Sequence, residues 1–334
     1  MTAVAATRAG TPKPNVTVLS ARAEKSFTTA ERDILAAAGQ VRYISCLEPL
    51  PPQTLASLAP ETEVLALTRR ATRNLDEHWL GELPALRGIT VYSTGYEWID
   101  VPSLTAKGIQ VAYLPGYSTA AVAEHTLGML LTLSRRLHLS HAIGSGHLPR
   151  GISMRGWELN GKTVGIIGLG RIGRAIAKLC TAFGMHVIGH DPAVQATDWT
   201  WLPLDQLLAR SQILIVAASQ RRTDPPLVDR AALSLLPRGA WLVNPSRPGL
   251  VDSQAALEAL HSAHLLGYAV DDYVFEPGEL QDLEPGRLLQ TLHTAWYSDE
   301  AMARGTAGWA RRIAAMAQGA PVDLVPSHDG DNDG

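Results

Sequence analysis

Hydrophobic positions along the chain follow two rhythms. Short runs of branched and aliphatic residues at Asn15–Leu19, Val41–Ser45, Val64–Thr68, Gly88–Ser93 and Val111–Tyr113 read as strands. Between them, Phe27–Ala38, Asp76–Leu80 and Val101–Ala106 carry the three-to-four-residue spacing of amphipathic helices. Ser118–Leu139 follows, with Ala121, Val122, Leu127, Met129, Leu130, Leu133 and Leu137 and few breakers, which predicts one long, mostly buried helix joining two domains. After the Gly-, His- and Pro-containing stretch Ile143–Gly151 a second series begins. Its predicted strands are Thr163–Ile167, His186–Gly189, Ile213–Ala217, Ala240–Val243, Leu265–Val270 and Leu288–Leu292. Its predicted helices are Arg171–Phe183, Leu204–Ala209, Arg230–Leu236, Ser253–His261 and Asp299–Gln318. Strands alternating with helices predict βαβ units, so the fold class is α/β with two parallel-sheet domains. The polar end beyond Pro321 cannot bury a core and reads as disordered, as does the start of the chain.

Composition narrows the functional classes. Of 334 residues, 46% are hydrophobic and 18% charged, with a net charge of −3, so no global field favours nucleic acid or an anionic membrane. The longest apolar runs fall far short of the roughly 20 residues that cross a bilayer. The first residues lack the apolar core of a secretory signal, and the expected location is cytoplasmic. Cys46 and Cys180 stand far apart with no Cys/His cluster beside them, so neither a disulfide framework nor a metal site is expected. His125, His138, His141 and His147 do not have the spacing of a metal site either. The excess of arginine over lysine carries no functional weight.

The chemistry begins after the strand Thr163–Ile167, where the chain reads Gly168-x-Gly170-x-x-Gly173 and enters a helix. Gly168 permits a tight turn, Gly170 lets a pyrophosphate approach the backbone, and Gly173 lets the helix pack on the strand, with the helix N-terminus facing the phosphates. Asp191 ends the next predicted strand, where a carboxylate accepts hydrogen bonds from an adenosine ribose and repels a 2′-phosphate. NAD is therefore expected over NADP.

Three later segments follow predicted strand ends, the edge where open parallel sheets bind ligands. They are Leu242–Asp252, Ala269–Pro277 and Thr291–Ser298. Hydride transfer between a 2-hydroxy acid and NAD needs a cation for the substrate oxygens and an acid/base for the hydroxyl proton. Arg247 and His293 are the right types, and Glu276 can hydrogen-bond His293 and fix its orientation.

Taken in order, these motifs resemble the D-isomer-specific 2-hydroxyacid dehydrogenase family over about residues 60–318. The resemblance implies two Rossmann-like domains, with the cofactor domain inserted between two parts of the substrate domain. On that reading 14–116 is the first part of the substrate domain, 117–297 the NAD-binding domain and 298–320 a C-terminal helix returning to the substrate domain, with 1–13 and 321–334 as tails. Arg247 falls on the family's substrate-binding arginine, His293 on its general acid/base and Glu276 on the acid paired with that histidine. Asp271 falls on the position contacting the nicotinamide carboxamide, and Arg171, Ile172 and Ala218 fall among the cofactor contacts. The family holds the substrate carboxylate with backbone N–H groups of two loops, here Arg70–Ala71 and Thr94–Gly95. Closure of the two domains would exclude water from the reaction. The His-Thr-Ala-Trp-Tyr-Ser run is similar to the C-terminal-binding-protein branch, which places Trp296 at the substrate pocket. A homodimer through the cofactor domains is the implied assembly.

The sequence departs from the family at several points. Pro248 follows the arginine where glycine is usual, Tyr113 replaces a frequent asparagine, and Ala217, Ala218 and Ser219 replace a His-x-Pro run at the adenine pocket. Arg69, Arg70 and Arg73 crowd the substrate loop, and such cations suit a phosphonate, phosphite or second carboxylate. Two alternatives thus stand beside the hydroxy-acid reading: a phosphorus-acid dehydrogenase, and an NADH-sensing scaffold without turnover.

Overall fold

The computed structural model describes residues 12–72, 74–75, 81–194, 198–220 and 224–325. These fall into two compact units, one running to Tyr117 and resuming at Met302, the other comprising Ser118–Ala301. The predicted helix Asp76–Leu80, Arg73 and both chain ends, 1–11 and 326–334, lie outside the described residues.

In the first unit, strands β1 (Asn15–Ser20), β2 (Gln40–Ser45), β3 (Val64–Leu67), β4 (Gly88–Val91) and β5 (Gln110–Ala112) form a parallel sheet in the order β2-β1-β3-β4-β5. The order reverses between β1 and β3, which makes their C-terminal ends a topological switch point. Every residue of β3 and β4 is buried, as continuous apolar runs covered on both faces should be. Helix α1 (Thr29–Ala38) starts two residues later than its apolar period, because Thr28 and Glu31 close a capping box. Helix α2 (Pro52–Leu58), which periodicity misses, starts with Pro52 at the first helical position, where its lost N–H costs nothing. Helix α3 (Val101–Ala106) is capped by Asp100.

The second unit opens with a correction. The predicted single helix Ser118–Leu139 is two, α4 (Thr119–Ser134) and α5 (Leu137–Gly144), broken at Arg136 in the left-handed region (φ 52°). The returning chain at Gly156–Trp157 causes the break: Trp157 N–H donates to the Ser134 carbonyl at 2.9 Å, taking an acceptor that a continuing helix would use. Gly156 comes so close that a Cβ there would lie 2.4 Å from that carbonyl oxygen.

Seven strands follow: β6 (Thr163–Ile167), β7 (His186–His190), β8 (Thr200–Trp201), β9 (Ile213–Val216), β10 (Ala240–Asn244), β11 (Leu265–Asp271) and β12 (Leu288–Thr291). All pairs are parallel, in the order β12-β11-β10-β9-β6-β7-β8. This is the doubly wound order, with its switch point between β6 and β9. Helices α6 (Arg171–Ala182), α7 (Leu204–Arg210), α8 (Arg230–Leu235) and α9 (Ser253–His261) connect them.

The last helix, α10 (Asp299–Ala317), contributes Trp309, Ile313 and Met316 to the first unit's core. Trp309 stacks on Phe27 at 5.4 Å, and the absence of a side chain at Gly88 makes room for Met316. For residues 321–325 the expectation of a loose tail is also corrected. Leu324 bridges Ala112, Val325 N–H donates to the Val111 carbonyl at 2.8 Å, and Val325 is buried. The edge of β5 thus takes up the chain that polarity alone assigned to solvent.

Candidate active site

The glycine loop is a cradle built by close approach. Gly168 sits at φ 92°, and a Cβ there would meet the Ala217 backbone at 2.7 Å; a Cβ on Gly173 would lie 1.9 Å from the Gly168 carbonyl oxygen. Gly170, the N-cap of α6, brings no side chain to cap the first turn. The first turn of α6 therefore leaves backbone N–H groups, those of Arg171 and Ile172 among them, without an intrahelical acceptor, and a pyrophosphate fits that donor set. Ala218 lies against Gly168, 2.8 Å from the same imaginary Cβ.

Asp191 stands one residue past β7, as its sequence position requires. Its Oδ2 accepts from Leu169 N–H at 2.7 Å, and its Oδ1 accepts from Ala193 and Val194 N–H at 2.8 and 3.1 Å. The carboxylate therefore fixes the glycine loop and its own turn, at the edge where a ribose would be read. Leu169, fully buried, sits over Gly189, where any Cβ would meet it at 2.8 Å.

Arg247 follows β10. Asn244, fully buried, organises the turn: its Nδ2 donates to the Arg247 carbonyl at 2.7 Å and its Oδ1 accepts from Ser246 N–H at 3.1 Å. Ser246 Oγ donates to the Val216 carbonyl at 2.9 Å, tying the turn to β9. Pro248 explains its own presence. It begins a short 3-10 turn and holds Arg247 extended (φ −136°, ψ 138°), the conformation a following proline favours.

His293 lies just past β12 in the left-handed region (φ 54°). Asp271, 2% exposed, supports that turn: Oδ1 accepts from Thr291 Oγ1 at 2.6 Å and Thr294 N–H at 2.9 Å, and Oδ2 from Ala295 N–H at 3.0 Å. The carboxylate expected at the nicotinamide thus makes these bonds inward, to the loop that carries the histidine. His125 Nε2 lies 3.4 Å from Thr291 Oγ1 and extends the same network onto α4.

The pairing of Glu276 with His293 is not what the structure holds. His293 Nδ1 lies 2.8 Å from Asp272 Oδ2. Between the two acids, Phe275 turns into the core against Tyr268 and Tyr273, which leaves Glu276 exposed with its N–H donating to Glu279 Oε2 at 2.7 Å. Asp272 and Asn244 are the site residues that motif reading missed. Asp272 had a signal, a second acid beside Asp271, but its left-handed φ of 76° is invisible to spacing. Trp296 is partly buried, packed edge-on to Tyr297 at 5.2 Å.

In the first unit, Arg70 and Ala71 lie in a 3-10 turn at the end of β3, with Ala71 buried and Arg70 exposed. Arg69 faces Glu97 at 3.6 Å. Thr94 Oγ1 donates to the Leu114 carbonyl at 3.0 Å, and the Gly95 carbonyl accepts from Ser93 Oγ at 2.6 Å and Trp98 Nε1 at 3.2 Å. Both segments follow strand C-terminal ends in this sheet. Among the described residues no group of three or more His, Cys, Asp or Glu is placed to hold a metal, and no helix is long and apolar enough to cross a membrane.

Residues 127–295, the bulk of the second unit, match the family model described as D-isomer specific 2-hydroxyacid dehydrogenase, NAD binding domain. The chain belongs to the D-isomer-specific 2-hydroxyacid dehydrogenase family. Among members of that family, it is 34% identical over 231 residues to D-3-phosphoglycerate dehydrogenase of Mycobacterium leprae, covering 68% of this chain and 44% of the relative. It is 32% identical over 295 residues to glyoxylate reductase of Aeropyrum pernix, covering 83% of this chain and 87% of the relative. D-lactate dehydrogenase of Aquifex aeolicus, solved with NAD and lactic acid, superposes with a TM-score of 0.74 at 25% identity, over 91% of this chain and 96% of that one. The chain spans less than half the length of the phosphoglycerate dehydrogenases it matches.

Proposed function

We propose that the protein transfers a hydride between NAD(H) and a 2-hydroxy acid or its 2-keto acid. The observation that carries the reading is His293, held at the C-terminal edge of the same sheet whose glycine loop forms the dinucleotide cradle. Its Nδ1 is engaged by a carboxylate, which leaves Nε2 for the substrate.

The cradle of Gly168, Gly170, Arg171, Ile172 and Gly173, with Asp191 and Ala218 beside it, would hold NAD, which when bound supplies or accepts the hydride. Asp191 favours NAD over NADP because a 2′-phosphate would meet its charge. Arg247 holds the substrate's oxygens and polarises the carbonyl as negative charge develops there. His293 Nε2 gives that oxygen a proton in reduction and takes it back in oxidation. Asp271 keeps the histidine's turn in register. In the first unit, the N–H groups of Arg70–Ala71 and Thr94–Gly95 are the proposed hold on the acid group, and Trp296 is a proposed wall of the substrate pocket. The substrate domain of this reading comprises 14–116 and 298–320. A homodimer and a cytoplasmic location complete the proposal, supported by the family resemblance.

The test follows reduced nicotinamide by absorbance with purified protein against glyoxylate, hydroxypyruvate, and branched and aromatic 2-keto acids, with phosphite and hydroxyalkylphosphonates tried with NAD. Turnover of a keto acid supports the reading. NAD reduction by phosphorus acids alone would replace it, and NADH binding without any turnover would favour a scaffold.

A further inference from the structure

We propose that, within the dehydrogenase reading on which this rests, the substrate is a 2-keto acid with a large apolar side chain, branched or aromatic, and that Leu47 and Tyr113 select it. In the first unit, both backbone segments proposed to hold the acid group carry apolar neighbours. The loop after β2 is tied to the first segment: Leu50 N–H donates to the Ala71 carbonyl at 2.9 Å, and Cys46 N–H donates to the Ser20 carbonyl at 3.0 Å. Held at both ends, this loop leaves Leu47 63% exposed. The second segment is stitched to the end of β5, with Leu114 N–H donating to the Ser93 carbonyl at 2.9 Å and Thr94 Oγ1 to the Leu114 carbonyl at 3.0 Å. Tyr96, the residue after Gly95, packs edge-on to Tyr113 at 5.6 Å, and Tyr113 stands where the resembled family often has a polar asparagine.

The second unit, taken by itself, has the same character. In the loops after the neighbouring strands β11 and β12, Val274 is 52% exposed, Leu292, next to His293, 75%, and Tyr297 65%. One exposed apolar side chain means little, but three in two adjacent loops, one of which carries the proposed acid/base, mark a ligand surface. Charge argues the same way. Arg69 is met by Glu97 at 3.6 Å, and the loop of Leu47 carries the exposed Glu48, which opposes a second anionic group on the substrate. Arg70 is left to complement the one carboxylate that its own N–H is proposed to bind.

The test compares kcat/KM of the full-length protein for 4-methyl-2-oxopentanoate and phenylpyruvate with that for glyoxylate and for 2-oxoglutarate, which carries a second carboxylate. Each methylene taken out of water is worth about fourfold, so the longer side chain of 4-methyl-2-oxopentanoate is expected to raise kcat/KM on the order of 10²-fold over glyoxylate. Leu47→Ser, at an exposed position, is expected to lower that ratio about tenfold, chiefly through KM. Tyr113→Asn is expected to lower it to a similar extent, and Tyr113→Phe, which keeps the ring, to hold it within about twofold. Leu58→Ser, at an exposed leucine on α2, is expected to leave it unchanged. A ratio that Leu47→Ser or Tyr113→Asn leaves untouched, or a protein that prefers glyoxylate or 2-oxoglutarate, overturns the proposal while the hydride-transfer reading stands. A protein that reduces none of these acids ends that reading and the proposal with it, so the two failures are distinguishable.

Discussion

Replacing Asp271 with asparagine exchanges one oxygen for an amide nitrogen, and the structure says that neither orientation of that amide is tolerated. With nitrogen at the Oδ2 position it faces Ala295 N–H; turned over, it faces Thr294 N–H. Two donors then confront each other at a site that is 2% exposed, where water is a poor substitute. A buried donor left without its acceptor costs about 1–3 kcal/mol, and the surviving bonds lose their charge assistance. The Thr291 hydroxyl can rotate and accept, which offsets part of this. The net is about 3 kcal/mol, and at about 2–4 °C per kcal/mol for a domain of this size the second unit should melt roughly 6–12 °C lower. Circular dichroism melting measures the shift, and NADH-dependent turnover should fall with it because Thr294 and Ala295 directly follow His293. A melting point within about 2 °C of wild type, with full turnover, would refute the claim that Asp271 anchors the histidine's turn.

Three further outcomes follow from the structure. Gly173→Ala places a methyl 1.9 Å from the Gly168 carbonyl oxygen, so α6 must shift; a stability loss of about 1–3 kcal/mol and at least about tenfold weaker NADH binding by fluorescence titration are expected. Burial pushes the Cys180 thiol from 9.0 up to about 12, so a thiolate-directed reagent at mildly alkaline pH should label it only after denaturation. Between those pH values the unfolded thiol ionises first, so stability falls as pH rises, which alkaline denaturant titrations check against Cys180→Ala. Ending the chain at Ala320 removes buried Val325 and its pairing to β5, and denaturant unfolding should show the first unit losing about 1.5–3 kcal/mol.

Much of the fold was legible because the signals were local. Thr163–Ile167, Val101–Ala106 and Ser253–His261 have the bounds that periodicity gives them, and the glycine loop lies between strand and helix as its spacing requires. What escaped was set by distant backbone. The break at Arg136 depends on Trp157, 21 residues on, reaching the Ser134 carbonyl, and the pairing of Val325 depends on the free edge of β5. At the site, residue types were readable and partners were not. Asp191 and Asp271 stand where the motifs put them, yet each carboxylate spends three hydrogen bonds on fixing loops: from the N–H groups of Leu169, Ala193 and Val194 for one, and from the N–H groups of Thr294 and Ala295 with the Thr291 hydroxyl for the other. The histidine's partner was misread because a spacing rule cannot see that Phe275 turns inward and Asp272 adopts a positive φ.

Whether His293 serves a hydride transfer is decided by a tracer. NADH deuterated at its transferring carbon is incubated with the 2-keto acid that turns over fastest, and the product is examined by mass spectrometry for deuterium at C2. Wild-type protein is expected to deliver the label, and His293→Asn, which keeps a residue tolerant of the left-handed turn, is expected to bind NADH normally and deliver it on the order of 10²–10⁴-fold more slowly. Label transfer by His293→Asn at the wild-type rate, or an unlabelled product from the wild type, would contradict the account.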